Sequence, residues 1–198
     1  MAVKGIDVSR HQKASEVNFK NLKDLGYEFV IVRAGYGSYE SQKDSAFESH
    51  YLAALDAGLK VGAYHYSYAV SEDDAKKEAD CFLKWIEDKT LEYPVAYDME
   101  GYYTMLYSSA YWLGSKFELP RLEHFDKWVA AYVGEEKNIK KYYDGEYGIW
   151  QYSSSVILPD VYTSRLDQDI AYKDYAKIIR NARLNRLVPD VIDLSDFE

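Results

Sequence analysis

The chain has 198 residues, with 24 Lys+Arg against 33 Asp+Glu and a net charge of −9. That balance argues against a nucleic-acid footprint, which needs clustered Lys and Arg, and against an anionic membrane surface; no apolar run approaches the ~20 residues of a spanning helix. The single cysteine, Cys81, excludes an internal disulfide framework and Cys-based zinc sites, while 21 tyrosines stand out.

Short apolar runs alternate with helical patterns, which predicts βα units and a parallel sheet. The first strand is Val3–Val8, with Asp7 near its end. A helix over 18–25 follows, with Phe19, Leu22 and Leu25 at helical spacing and Gly26 as a stop. The β-branched run 29–34 is the second strand, closed by Gly35-Tyr36-Gly37. The next helix, over 44–57, has Phe47, Tyr51 and Leu55 on one face and Gly58 as its stop. Lys60–Tyr66 is the third strand, ending in Tyr64 and Tyr66. Ser71-Glu72-Asp73-Asp74 then resembles a capping arrangement and opens a helix whose apolar face is Ala75, Ala79, Phe82, Leu83 and Ile86. The fourth strand, 94–100, ends in Asp98-Met99-Glu100.

Here the rhythm breaks. The strand-like run 103–107 begins after only Gly101 and Tyr102, and a parallel crossover needs a dozen or more residues. A hairpin, one long continuous strand and a lost crossover helix would each account for it. Beyond lie a short helix over 110–117, strands over 127–132, 147–152 and 166–170, and a terminal helix over 172–184. No linker divides the chain, so residues 1–185 read as one domain and 186–198 as an acidic tail. Eight strands, with helices mostly in the first half, predict an α/β fold: an irregular TIM-like β/α barrel with regular βα units first and mostly strands later.

In a barrel of parallel strands, function sits at the C-terminal strand ends. Asp7, Tyr64, Tyr66, Asp98, Glu100, Trp150, Gln151, Asp167 and Asp169 all fall near such ends. Asp98 and Glu100 share a strand face, roughly 6–7 Å apart along the chain. Their mutual repulsion raises at least one pKa and supplies one acid and one anion. The blander alternatives are a solvated strand end for this pair, a turn or N-cap for Asp7, and a cap of the terminal helix for Asp167 or Asp169, the second being better placed. Tyr64, Tyr66, Tyr68, Tyr107, Trp150 and Tyr152 suit stacking on the C–H face of a sugar, although each alone also fits a packed core. No two of the four histidines share a metal-ligand spacing, and no P-loop, nucleophile elbow or dinucleotide fingerprint occurs. Neither a metal nor a cofactor is expected.

The ordered segments GIDVSRHQ, FVIVRAGYG, KVGAYHYSYA, PVAYDME, YTMLYSSAYW, KWVAAY, YGIWQYSS and LDQDIAY resemble the glycoside hydrolase family 25 muramidases, over about residues 3–180. The resemblance implies hydrolysis of the β-1,4 bond between N-acetylmuramic acid and N-acetylglucosamine in bacterial peptidoglycan, so the expected partner is a glycan strand. It implies Glu100 as general acid. Asp98 would orient the substrate N-acetyl group or act as base or nucleophile, while Asp7 and Asp167 tune Glu100 and hold the sugar. Tyr64, Tyr66, Tyr107, Trp150 and Gln151 are the expected substrate contacts. It also implies several dozen residues, including a crossover helix, where this chain has Gly101-Tyr102; a non-catalytic wall-binding module or a deletion variant of the scaffold is the alternative. The first residues lack the long apolar segment of a secretion signal, so cytoplasmic synthesis and action at the bacterial wall are expected.

Overall fold

A computed structural model describes residues 2–96 and 102–187. The expectations placed on Asp98 and Glu100, and on most of the C-terminal tail, lie outside the described residues.

Eight strands form one sheet: β1 (Val3–Val8), β2 (Tyr27–Tyr36), β3 (Lys60–Tyr66), β4 (Val95–Ala96), β5 (Met105–Ser109), β6 (Asp126–Ala130), β7 (Ile149–Leu158) and β8 (Tyr162–Ala171). Their order is β4-β3-β2-β1-β8-β7-β6-β5. The two edges meet at a parallel bridge between Val95 and Thr104, where the Val95 N–H donates to the Tyr103 carbonyl at 3.0 Å. The sheet thereby curls into the irregular α/β barrel that the strand count predicts. Because the bridge is parallel, the described parts of β4 and β5 are neither a hairpin nor one continuous strand.

One expectation needs correction. The strands are not all parallel, because β8 runs antiparallel to both β1 and β7. β7 and β8 are joined by a tight turn at Pro159 and Asp160, with Leu158 paired to Tyr162. Both strands therefore extend beyond the predicted 147–152 and 166–170. A short turn can only return the chain antiparallel, so β8 enters the barrel from the opposite end.

Alternation along the strands separates two layers. Ile6, Val8, Val30, Val32, Val61 and Ala63 face outward. There they pack under α1 (Phe19–Asp24), α2 (Phe47–Asp56) and α3 (Glu72–Ile86). Phe29, Ile31, Ala96, Met105, Trp128, Ile149 and Ala171 face the interior. Gly5 has to be glycine, since a Cβ there would collide with the Phe29 ring. On the other half of the wall, α4 (Ala110–Ser115) packs with Val129 and Trp150.

Local signals set the helices. Ser71 caps α3 by accepting from the Asp74 N–H at 3.2 Å, and Glu72, Asp73 and Asp74 occupy the first turn, where the helix dipole favours anions. Gly58 follows α2 at φ +72°, a conformation that favours glycine. The terminal helix α5 is Tyr175–Asn181, shorter than the predicted 172–184. Its cap is Asp174, which accepts from the Lys177 N–H at 3.1 Å. Asp169 is six residues upstream of α5, inside β8, and so plays no capping part. α5 closes the barrel floor, where the Tyr175 hydroxyl donates to Asp126 Oδ2 at 2.7 Å.

Candidate active site

The floor is apolar, but the opposite end of the interior is polar. On β1, Gly5 and Asp7 share the inward face with Phe29 and Ile31 of β2, to which they pair. β8 lies against the other side of β1, with Asp167 opposite Asp7 and Asp169 opposite Gly5. Asp169 is in turn opposite Gln151 of β7. Period-two alternation puts Asp167, Asp169 and Ala171 on one face, so the D-x-D of β8 delivers two carboxylates beside Asp7.

Gln151 organises the cluster. Its Oε1 accepts from the hydroxyls of Tyr107 at 2.9 Å and Tyr132 at 2.7 Å. This turns its amide nitrogen toward Asp7, and Nε2 donates to Asp7 Oδ2 at 2.6 Å. Asp169 is fully buried and accepts from the Trp128 indole N–H at 2.8 Å, while its Oδ2 has no partner among the described residues. Trp128 is flanked by the rings of Tyr107, centroid to centroid 4.6 Å, and Tyr64, 6.2 Å.

Burial pushes the Asp7 carboxyl well above the usual carboxylate range, and the nearby Asp167 charge adds to this, against the opposing Gln151 hydrogen bond. Burial, then Asp7, raises Asp169 in the same way. Asp167 is also raised by burial, but it accepts a hydrogen bond from Asp7, which favours its ionised form. Burial thus favours the protonated form at Asp7 and Asp169, and Asp167 is the least buried of the three. Burial raises the Tyr64 and Tyr107 hydroxyls far above the normal phenol range, so both stay neutral donors.

Of the residues expected from sequence, the structure brings together Asp7, Asp167, Tyr64, Tyr107 and Gln151. Tyr66 lies at the rim and is half exposed. Trp150 is not brought to the cluster. It points to the outer layer, buried beneath α4, with its indole N–H donating to the Ala131 carbonyl at 2.8 Å. Its neighbour Gln151 takes the inward position because adjacent strand residues face opposite sides. Tyr152 also faces outward, donating to Gln168 Oε1 at 2.7 Å. Sequence reasoning missed Trp128, Tyr132 and Arg33, and it gave Asp169 a capping role. The parity of Asp167 and Asp169 was the available signal for the last; for Arg33, a lone charge in an apolar strand was.

Residues 6–103 match the family described as Glycosyl hydrolases family 25, and the chain belongs to that family. It is 36% identical over 98 residues to an autolytic lysozyme of Clostridium acetobutylicum, a match taking in 50% of this chain and 28% of that protein. The chain thus spans little more than a quarter of the length of that curated relative. Among solved structures, the CTP1L endolysin superposes with a TM-score of 0.76 at 20% identity, covering 90% of this chain and 70% of the other. The bacterial lysozyme of Streptomyces coelicolor gives a TM-score of 0.67 at 21% identity, covering 94% and 98%. These last two likenesses establish the fold.

Proposed function

We propose that this chain is a muramidase, hydrolysing the β-1,4 bond between N-acetylmuramic acid and N-acetylglucosamine in the peptidoglycan of bacterial walls. The observation that carries this is the facing Asp7–Asp167 pair, with Asp7 held by Gln151 among tyrosines inside a family 25 barrel. Glycosidic cleavage needs a proton for the leaving oxygen and negative charge near the positive charge that develops on the sugar ring. Glu100 is our candidate for the proton donor, and Asp98 for the group that orients the N-acetyl arm or serves as base or nucleophile. Asp7 and Asp167 together present one negative charge rather than two. That charge lies on Asp167, the more accessible carboxylate, where it can stabilise the cationic transition state. Asp7, neutral and held by Gln151, fixes Asp167 in place. The neutral hydroxyls of Tyr64 and Tyr107 provide polar contacts and ring faces for the sugar.

The test is digestion of purified peptidoglycan, followed by borohydride reduction and analysis of the new chain ends. Reduced N-acetylmuramic acid is the expected end, and Glu100→Gln should abolish its appearance. Glucosamine ends, or equal release by wild type and variant, would overturn this reading.

A further inference from the structure

Beside the aspartates, at the rim formed by the ends of β1, β2 and β3, is a cavity of about 270 Å³ lined by Arg10, His11, Arg33, Tyr36, Tyr66 and Tyr68. In a chain of net charge −9, this spot holds two guanidinium groups. Arg33 pairs with Tyr64 across β2 and β3, so the two share the inward face. Tyr64 lies edge-on to Trp128, whose indole N–H donates to Asp169, which puts the cavity next to the acid cluster.

Arg33 is 8% exposed, and its Nε donates to Asp44 Oδ2 at 2.7 Å. Asp44 is shared with two backbone groups as well. Its Oδ2 also accepts from the Arg10 backbone N–H at 3.1 Å, and its Oδ1 accepts from the Ala46 N–H at 2.9 Å. An arginine carries five N–H donors in a planar fork, and among the described residues only the one on Nε has a partner, with Nη2 buried and unpaired. The pair Arg33–Asp44 is neutral overall, so Arg10 leaves the cavity positive. Arg10 is held over the Tyr36 ring, 5.1 Å from its centroid, with Nη1 3.4 Å from the Tyr36 hydroxyl oxygen; Arg33 lies 6.0 Å from the same centroid. Two guanidinium groups thus flank one ring, and Asp44 neutralises one of them. The segment carrying Arg10 is preset as well, because His50 Nε2 donates to the carbonyls of Ser9 at 3.2 Å and Gln12 at 2.8 Å.

We infer that this cavity is a carboxylate-binding subsite, in which the free guanidinium edge of Arg33 and the Arg10 side chain receive an acid group on the glycan while the tyrosines contact its carbon skeleton. The inference rests on the muramidase reading for the identity of the glycan. There, carboxylate is available from two sources: the lactyl arm of an unsubstituted muramic acid, and the peptide attached to that arm. Guanidinium is suited to either through paired, charge-assisted hydrogen bonds. The cavity would thereby select the muramic sugar over a neutral one and set which ring sits beside Asp167.

The test is calorimetric titration of the full chain with N-acetylmuramic acid, with muramyl dipeptide and with neutral N-acetylglucosamine, at low and high salt. We expect the acidic sugars to bind about tenfold tighter than the neutral one at low salt, with the margin shrinking as salt screens the charge. Arg10→Gln, at an exposed position, should cut the margin severalfold, and Arg33→Lys should cut it without removing the positive charge, because a lysine has no planar fork. Preference for N-acetylmuramic acid assigns the lactyl carboxylate, and preference for the dipeptide assigns the peptide. Equal binding of all three sugars, or a margin unchanged in folded Arg10→Gln, would overturn the subsite. If peptidoglycan is still cut by such a protein, the muramidase reading survives; if wild type cuts none, that reading fails independently.

Discussion

Asp7 and Asp167 face one another across the antiparallel neighbours β1 and β8, and Asp7 Oδ2 accepts from Gln151 Nε2 at 2.6 Å. Burial and the facing Asp167 charge both favour a protonated Asp7. That arrangement links stability to pH. The folded-state pKa of Asp7 is raised, so above the ordinary Asp range the native state binds more protons than the unfolded chain. With respect to this group, stability is greatest below about pH 4, falls as pH rises toward the folded pKa, and is level beyond it.

Asp7→Asn should remove this fall. Urea unfolding at a series of pH values should show the variant gaining on wild type as pH rises from about 4, by roughly 1.4 kcal/mol for each unit of the shift. Parallel profiles would show that Asp7 does not hold the proton.

Gln151→Leu removes the acceptor of the Tyr107 and Tyr132 hydroxyls and the donor to buried Asp7 Oδ2. A loss of about 1–3 kcal/mol is expected in denaturant unfolding. Turnover of peptidoglycan should fall by about 10²-fold, since Asp167 is then misplaced by a loosened neighbour. Retained turnover with reduced stability would confine Gln151 to a structural part.

Trp128→Phe keeps a ring between Tyr64 and Tyr107 but removes the N–H that Asp169 accepts. Asp169 is fully buried, so neither oxygen would then have a partner among the described residues. A cost of about 2–4 kcal/mol follows from the unpaired group and the smaller ring, and thermal or urea unfolding measures it. A change within experimental error would mean that water replaces the indole.

Ion pairs divide by burial. Arg33–Asp44 has side chains 10% and 0% accessible, whereas Lys13–Glu16 has 73% and 49%. Asp44→Ala should cost about 3–5 kcal/mol by leaving a guanidinium buried without its anion. Lys13→Ala should leave unfolding unchanged, because water and salt already screen that pair. Similar unfolding midpoints for the two variants would contradict this division.

Much of the barrel is legible from local pattern. The β-branched runs became β1, β2 and β3, Ser71 capped α3, and Gly58 ended α2, because each depends on neighbours a few residues away. The alternation that puts Gly5 and Asp7 on one face of β1, or Asp167 and Asp169 on one face of β8, is likewise local. Local pattern is therefore enough to say which residues in each strand travel together, and the ordered motifs indicated the family. Which face points inward, and which way each strand runs, depend on long-range packing. Trp150 and Gln151 are equally plausible as site residues until the packing of α4 against β7 sends the indole out and the amide in. β8 reads as one more parallel strand until the turn at Pro159 and Asp160 reverses it and sets Asp167 opposite Asp7. Arg33 looks like a solitary charge until folding brings it to Asp44, Arg10 and Tyr36. These outcomes arise from contacts between segments far apart in the chain, where burial and charge are set by neighbours that no local period encodes.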